Sequence, residues 1–309
     1  MKAGCSVTTL CDMVFPIGAF IHGRWNRRRY RVERLLGEGA NGRVYLVSAG
    51  TAMFALKTGH DMLDLQSEVN VLKSLAQSSD SFRDYFVDAD DAEWQGETIP
   101  FYVMKYVRGQ SLSDFLKAQG PEWLYVIGYH LLRKLNELHR HGWVFGDLKV
   151  ENMIISEYGR VELVDYGGVS AIGKSIKQFT EIYDRGYWRA GSRVADEGYD
   201  LFSFAVLCLQ ITGEPGKSDY AQVLPQNRGK DYLLDELKQR PLLHNVAPVL
   251  EKAIRGQYRS SAEASLEWRR HAALLQHSIG VVSSSWLKLC FAASAILFLS
   301  TVYFFWPGG

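Results

Sequence analysis

Cysteine is scarce in this chain. The four present in 309 residues, Cys5, Cys11, Cys208 and Cys290, form no CxxC pair and no metal-ligand spacing. That excludes a zinc-stapled or disulfide-stapled scaffold, and the count suggests a reducing compartment. Cys208 and Cys290 lie in apolar runs and read as small buried hydrophobes. Neither sign of charge is in excess. Lys and Arg number 35 against 34 Asp and Glu, a net charge of +1, so no nucleic-acid partner is expected. An apolar leader is missing too. Met1-Lys2-Ala3-Gly4-Cys5 ends like a lipoprotein cleavage site, but no h-region precedes it, so no signal peptide is expected. A hydrophobic fraction of 47% and a charged fraction of 22% are ordinary for a globular core. The length allows one large or two small domains.

What the chain does have is concentrated in residues 144–168, VFGDLKVENMIISEYGRVELVDYGG. Two short apolar runs, Met153–Ile155 and Val161–Val164, flank a polar turn, Glu157-Tyr158-Gly159-Arg160, and read as a hairpin. Asp147 and Asn152 precede its first strand, and Asp165 follows its second. The two acids, eighteen residues apart, therefore converge on one side. Asp147, Lys149, Asn152 and Asp165 match the needs of phosphoryl transfer. One acid accepts a hydroxyl proton, a cation faces the moving phosphoryl group, and a carboxylate with an amide holds Mg²⁺.

Asp147-Leu148-Lys149-x-x-Asn152 followed by Asp165-Tyr166-Gly167 resembles the catalytic loop and metal-binding turn of the eukaryotic-type (Hanks-type) protein kinases. The resemblance implies an α+β, bilobal protein-kinase-like fold over residues 25–277, after an N-terminal extension, 1–24. A small antiparallel β lobe with one helix takes residues 25–106, and a large, mainly helical lobe 107–277. Gly37-Glu38-Gly39-Ala40-Asn41-Gly42-Arg43-Val44 joins two predicted strands, Tyr30–Leu36 and Val44–Val47. Glycines let backbone N–H groups approach a phosphate. GxGxxG alone also suits a dinucleotide fold, but there a helix follows. Here a strand follows, as in a kinase lid over ATP. Lys57 ends the next strand in Phe54-Ala55-Leu56-Lys57, similar to the family's V-A-I-K. Glu68, on a helix with Leu65, Val69, Leu72 and Leu75 along one face, is its candidate partner at a gap of eleven residues, shorter than usual in the family. Phe101–Val107 resembles the last strand of the small lobe, and Lys105–Gly109 the hinge that meets the adenine ring.

By resemblance, then, Gly37, Glu38, Gly39, Gly42, Val44, Lys57, Glu68 and Lys105 serve ATP. Asn152 and Asp165 hold Mg²⁺, with Mn²⁺ as a substitute. Asp147 and Lys149 carry the chemistry.

A helix is predicted over 121–141, with Pro121 at its start and Trp123, Leu124, Ile127, Leu131, Leu135 and Leu138 on one face. Ser111 caps the helix before it. His139 resembles a structural histidine of the family, and Asp200 the acid that braces the catalytic loop. Residues 80–100 are acidic and read as a strand plus variable loop. Arg24, Arg27, Arg28, Arg29 and Arg31 form either a solvated approach to the first strand or a membrane-facing patch. Residues 213–244 read as irregular, and 246–276 as closing helices.

No charge occurs from Leu289 to Phe305. Trp286, Tyr303 and Trp306 bracket the run and Lys288 precedes it. Residues 286–306, about 30 Å as a helix, read as a transmembrane helix after a linker, 278–285. Arg269, Arg270 and Lys288 before the span predict a single-pass protein of the cell membrane with a cytoplasmic catalytic domain. The expected protein is a bacterial, tail-anchored Ser/Thr kinase acting on membrane-proximal protein substrates. With three residues beyond the span, no extracellular ligand is expected.

Two departures from the family stand out. Its His-Arg-Asp is here Phe145-Gly146-Asp147, so no guanidinium is available to grip a phosphate on the activation segment. Its Ala-Pro-Glu is replaced by Ala190-Gly191-Ser192, which leaves Arg259 without its usual acid. These motivate an alternative, a pseudokinase acting as an ATP-binding membrane scaffold. A small-molecule kinase, which resembles Gly146-Asp147-x-x-x-x-Asn152, is the third reading.

Overall fold

The computed structural model describes residues 14–39, 42–59, 61–78, 80–213, 220–278 and 285–305. The alternating segments form a six-stranded antiparallel sheet. Its strands are β1 (Phe20–His22), β2 (Arg29–Gly39), β3 (Gly42–Ala49), β4 (Ala52–Gly59), β5 (Phe86–Trp94) and β6 (Glu97–Lys105), in the spatial order β1-β2-β3-β4-β6-β5. The two faces of the sheet have different partners, as the period of two requires. Ile21, Tyr30, Val32, Tyr45, Val47, Leu56, Phe101 and Val103 enclose one core together with Phe15. Ala55, Tyr102 and Met104 belong to a second core, shared with Leu65, Val69, Leu72 and Leu75 of α1 (Met62–Ser78). A single turn, α2 (Asp80–Arg83), returns the chain to the sheet.

The sheet begins at Phe20, ahead of the boundary at residue 25 read from the sequence. Ile21 pairs with Tyr30. The segment 80–100 is more regular than expected: β5 and β6 form a hairpin. Gln95 and Gly96 at its tip both take positive φ, 53° and 88°, the turn whose twist suits a two-residue hairpin. Here the two charge runs meet. Arg24 pairs with Glu93 at 3.4 Å and Arg28 with Asp88 at 3.6 Å. Asp90 accepts from the Trp25 and Asn26 amides at 3.1 and 2.9 Å. Arg29 lies over the Phe20 ring at 4.7 Å. Acids on β5 thus partner two of the five arginines, Arg24 and Arg28.

The large lobe is mainly helical. Its strands are short: β7 (Gln110–Ser111), β8 (Trp143–Val144), β9 (Met153–Ile155), β10 (Val161–Leu163) and β11 (Ser170–Ala171). Its helices are α3 (Leu112–Gln119), α4 (Leu124–Arg140), α5 (Glu197–Ile211), α6 (Lys230–Lys238), α7 (Ala247–Arg255) and α8 (Ser261–Ser278). Ser111 caps α3, accepting from the Asp114 amide at 3.1 Å and donating to its carboxylate at 2.7 Å. Leu124, Ile127, Leu131, Leu135 and Leu138 of the predicted apolar stripe are buried on α4, whereas Pro121–Trp123 form a separate tight turn before it and Trp123 is half-buried. α4 packs closely on α8. A Cβ on Gly128 would stand 2.4 Å from the Trp268 ring, whose Nε1 donates to Tyr125 O at 2.8 Å. α5 is buried on all sides from Tyr199 to Leu209, which marks it as the central helix. α6 corrects the expectation of irregular chain over 213–244: Leu233, Leu234 and Leu237 recur at helical spacing and are buried.

The last helix, α9 (Ser285–Phe305), coincides with the expected span; Trp306 lies outside the described residues. Among the described residues no helix is long and apolar enough to cross a membrane. The transmembrane expectation is therefore not carried by the fold. Leu289, Phe291, Ile296, Leu297 and Phe298 are exposed on α9. Cys290 on the same helix is exposed, against the expectation of burial, whereas Cys208 inside α5 is buried. The expectations for Met1–Cys5, for Ala40–Asn41 and for most of the linker fall outside the described residues.

Candidate active site

The β9–β10 hairpin forms as its sequence dictates, with Met153 opposite Leu163 and Ile155 opposite Val161. One further bond, Val164 N to Asn152 O at 2.9 Å, closes its open end. Asn152 and Asp165 thereby become neighbours. Asp165 takes an unusual left-handed backbone, φ 64° and ψ 89°. Its Oδ1 accepts from Lys57 Nζ at 2.9 Å and from Gly167 N at 3.3 Å. Burial favours the protonated acid, but the Lys57 ammonium outweighs it and holds the Asp165 pKa below its ordinary value.

Lys57 joins the two lobes. Its Nζ donates to Glu68 Oε1 and Oε2 at 2.9 and 2.8 Å, besides Asp165. Lys57 and Glu68 are each only 3% exposed. Burial alone would neutralise the amine, yet Asp165 and Glu68 raise its pKa, so it stays charged. Asp147 is buried and both its oxygens are engaged. Lys149 Nζ donates to Oδ2 at 2.7 Å, and Thr180 Oγ1 to Oδ1 at 2.8 Å. Asn152 Nδ2 donates to the Asp147 carbonyl at 2.9 Å. The Asn152 side-chain amide oxygen, Oδ1, and Asp165 Oδ2 carry no hydrogen bond among the described residues.

Asp200, fully buried at the head of α5, holds the loop from behind. Its carboxylate accepts from the Phe145 and Gly146 amides at 2.7 and 2.9 Å and from His139 Nε2 at 2.8 Å. His139 Nδ1 meets Ser261 Oγ at 2.8 Å, and Ser261 donates to Glu197 through N and Oγ at 2.6 and 2.8 Å. Burial opposes the charge on His139, but Asp200 and Glu197 outweigh it and lift its pKa to about 9. Glu197 is pulled down to about 2, chiefly by its bond to His139. Gly146 sits at φ +82°, and a Cβ there would lie 2.6 Å from Gly168 O.

The described residues of the glycine loop lie at the end of β2 and the start of β3. Gly37 pairs with Val44, Glu38 with Arg43 and Gly39 with Gly42. The Glu38 carboxylate is taken by Arg43 at 2.7 Å. Gly42, at φ +135°, would place a Cβ 1.8 Å from Thr58 O, so no other residue fits. Val44 stands opposite Lys57 across the β3–β4 ladder. Lys105 stands apart from the catalytic cluster. Its amide donates to Tyr85 O at 2.9 Å, which leaves the carbonyl as its remaining backbone group. Lys105 lines a cavity of about 380 Å³ with Tyr85, Arg108, Ser156 and Glu162, and no other predicted site residue lines it.

Two residues at the centre were not assigned to the site from sequence. Thr180 touches Asp147, and Tyr102 Oη donates to Glu68 Oε2 at 2.8 Å. A hydroxyl in the activation segment and an aromatic in a buried strand are the only sequence signals for them.

Among the described residues no three His, Cys, Asp or Glu side chains form a metal cage. The donors left open are one carboxylate oxygen and one amide oxygen. That pair fits Mg²⁺, a hard cation bound through few protein ligands together with substrate phosphates.

Comparison with known proteins agrees with this geometry. The family model "Protein kinase domain" matches residues 30–239. The chain is 37% identical over 262 residues to serine/threonine-protein kinase YabT of Bacillus subtilis, covering 84% of this chain and 75% of that protein. The chain belongs to the protein kinase family. A serine/threonine-protein kinase F of Synechocystis is 26% identical over 227 residues, 62% of this chain and 45% of that kinase. SMU1 of Mycosarcoma maydis, a serine/threonine-protein kinase, is 26% identical over 197 residues, 60% of this chain and 26% of that kinase. The bacterial relative places this kinase among the bacterial Hanks-type enzymes, and it is a serine/threonine protein kinase. Protein kinases use ATP and Mg²⁺ generally.

The kinase's altered segment end has its own fastening. Arg185 forks onto Asp196 at 2.8 and 2.6 Å, and Arg193 onto buried Asp184 at 2.8 and 2.7 Å. The Arg259 guanidinium makes no ion pair among the described residues. Glu197, through Ser261, ties the start of α8 to the start of α5 instead.

Proposed function

We propose that this kinase transfers the γ-phosphoryl group of Mg·ATP to protein Ser or Thr hydroxyls. The observation that carries the reading is Lys57, buried between the lobes and joined at once to Glu68 and Asp165. Asp147 orients the substrate hydroxyl and accepts its proton. Lys149 stands against the transferring group, and Lys57 takes the α/β-phosphates, aligned by Glu68. Asn152 and Asp165 hold Mg²⁺, which neutralises charge on the phosphates. The backbone of Gly37, Gly39 and Gly42 covers the phosphates, and the hinge carbonyl of Lys105 faces the adenine. Thr180, a hydroxyl already at hydrogen-bond distance from Asp147, marks the space that a substrate hydroxyl approaches.

Incubation of the full chain with labelled Mg·ATP and a generic protein substrate tests this. Phosphate transfer is expected, and Asp147→Ala and Asp165→Ala each reduce it by about 10³-fold or more, given the share of the barrier such groups supply. Tight Mg·ATP binding with no transfer to protein would favour the scaffold reading. Phosphate found on a metabolite alone would favour the small-molecule reading.

The proposal includes attachment to the cell membrane through α9, with the catalytic lobes on the cytoplasmic side. The uncharged run 289–305 and the exposed apolar side chains of α9 support it. Its substrates are then proteins near the membrane. Gly146 also leads to the proposal that activity is independent of activation-segment phosphorylation. Alanine at Ser170, Ser175, Thr180 or Tyr183 that abolished activity in folded protein would count against that independence, Thr180 being judged apart because it touches Asp147.

A further inference from the structure

Glu68 has a second donor besides its lysine. Tyr102 stands directly opposite Lys57 across the β4–β6 ladder, so both side chains leave one face of the sheet toward α1. Tyr102 Oη donates at 2.8 Å to Glu68 Oε2, the oxygen that also receives Lys57 Nζ at 2.8 Å. Tyr102 is fully buried, so no water can replace its bond. Burial holds the phenol well above its ordinary range, and it remains a neutral donor.

The three N–H bonds of Lys57 are all committed, to Glu68 Oε1, Glu68 Oε2 and Asp165 Oδ1 at 2.9, 2.8 and 2.9 Å. A phosphate oxygen that binds Lys57 must displace one of them. A buried carboxylate stripped of its donor is costly. Glu68 Oε2 already has a substitute donor in place, Tyr102 Oη at 2.8 Å, whereas Glu68 Oε1 has none and Asp165 Oδ1 would keep only the longer bond from Gly167 N at 3.3 Å. We propose that Tyr102 is a positioning residue: its hydroxyl holds Glu68, and with it α1, while Lys57 turns one N–H to the phosphates of ATP. The inference rests on the reading of Lys57 as a phosphate ligand. Tyr102 brings no charge. The cluster of one ammonium and two carboxylates keeps its balance, and only the geometry is secured.

The test compares full-length wild type, Tyr102→Phe, Glu68→Gln and the double variant. Tyr102→Phe removes one oxygen from a site that a phenyl ring still fills. Loss of a hydrogen bond to an ion is expected to lower kcat about tenfold or more, with KM for ATP within about twofold. The acid limb of the kcat profile is expected to move to higher pH, because Glu68, already raised by burial, loses a donor to its charged form. In the Glu68→Gln background the same change is expected to matter less than about twofold. Amide exchange across α1 in Mg·ATP is expected to be faster in Tyr102→Phe than in wild type. An unchanged kcat and acid limb overturns the proposal. So does an undiminished loss in the Glu68→Gln background, which would make the effect one of packing. Should wild type transfer no phosphate, equal exchange across α1 in the two proteins still overturns it. The phosphate-ligand reading fails separately, if Lys57→Met leaves ATP binding unaltered.

Discussion

At position 146 a glycine occupies the place of the family's arginine, and its surroundings have closed around it. With φ at +82° and Gly168 O in the path of a Cβ, even a methyl group meets strain. Gly146→Ala is expected to cost roughly 1–2 kcal/mol, read from urea unfolding, since a left-handed backbone penalises any L side chain by that order. Gly146→Arg is expected to give no gain in activity over wild type and to lower the melting temperature further. Thr180 offers a second check. Thr180→Val keeps the shape and removes the donor to Asp147 Oδ1; kcat is expected to fall about tenfold while KM for ATP stays level, by the usual worth of a bond to a carboxylate. The residues legible from sequence were those with informative neighbours: Asp147, Lys149 and Asn152 in one short motif, Asp165 before its Tyr-Gly, Lys57 at a strand end. Thr180 and Tyr102 were not, because their partners lie 33 and 34 residues away. Only the folded chain brings those pairs together.

Among the elements, the cluster at the heads of α5 and α8 has a pH signature. His139 rises from an ordinary 6.5 to about 9 on folding, so the folded state binds the proton more tightly. Its contribution is complete below pH 6.5 and is lost as pH rises through about 9. The linkage amounts to about 3 kcal/mol. Urea midpoints are expected to fall across that window in wild type, and His139→Gln is expected to flatten the fall. Asp184 is fully buried beneath Arg193, with Tyr199 Oη at 2.9 Å. Asp184→Asn leaves a buried network half-satisfied and is expected to cost about 3 kcal/mol or more in thermal unfolding. Periodicity made α4 and the β9–β10 hairpin legible, because each carries its own apolar pattern. The β5–β6 hairpin was harder to see, since its acids are explained by the segment 24–28, from which Asn26 and Trp25 reach them across 62 and 66 residues and Arg24 and Arg28 pair with Glu93 and Asp88. α6 was hidden by polar residues that cover its outer side.

For the whole molecule, two lobes and a separate terminal helix divide the work. Removing residues 286–309 is expected to yield soluble protein with phosphate transfer within about twofold of the full chain, if α9 only confines the enzyme. Association of the full chain with vesicles, lost on truncation, is the companion measurement; a full chain that stays in solution would remove the membrane from the account. The bilobal plan was legible from motif order. The start of the sheet at Phe20 was not, because β1 is three residues long and gains its meaning from pairing with β2.

The bridge from Lys57 to Glu68 and Asp165 bears on timing. The side chains that close it, Tyr102 among them, belong to the chain itself, and none requires an added group. If activity is independent of activation-segment phosphorylation, as proposed, a catalyst built this way has no assembly step to wait for. Product is expected to accumulate linearly from the moment of mixing, without the lag of an enzyme that must first modify itself. Control then falls to encounter: how often a substrate reaches the cleft sets the flux, and that frequency is decided by where the enzyme resides.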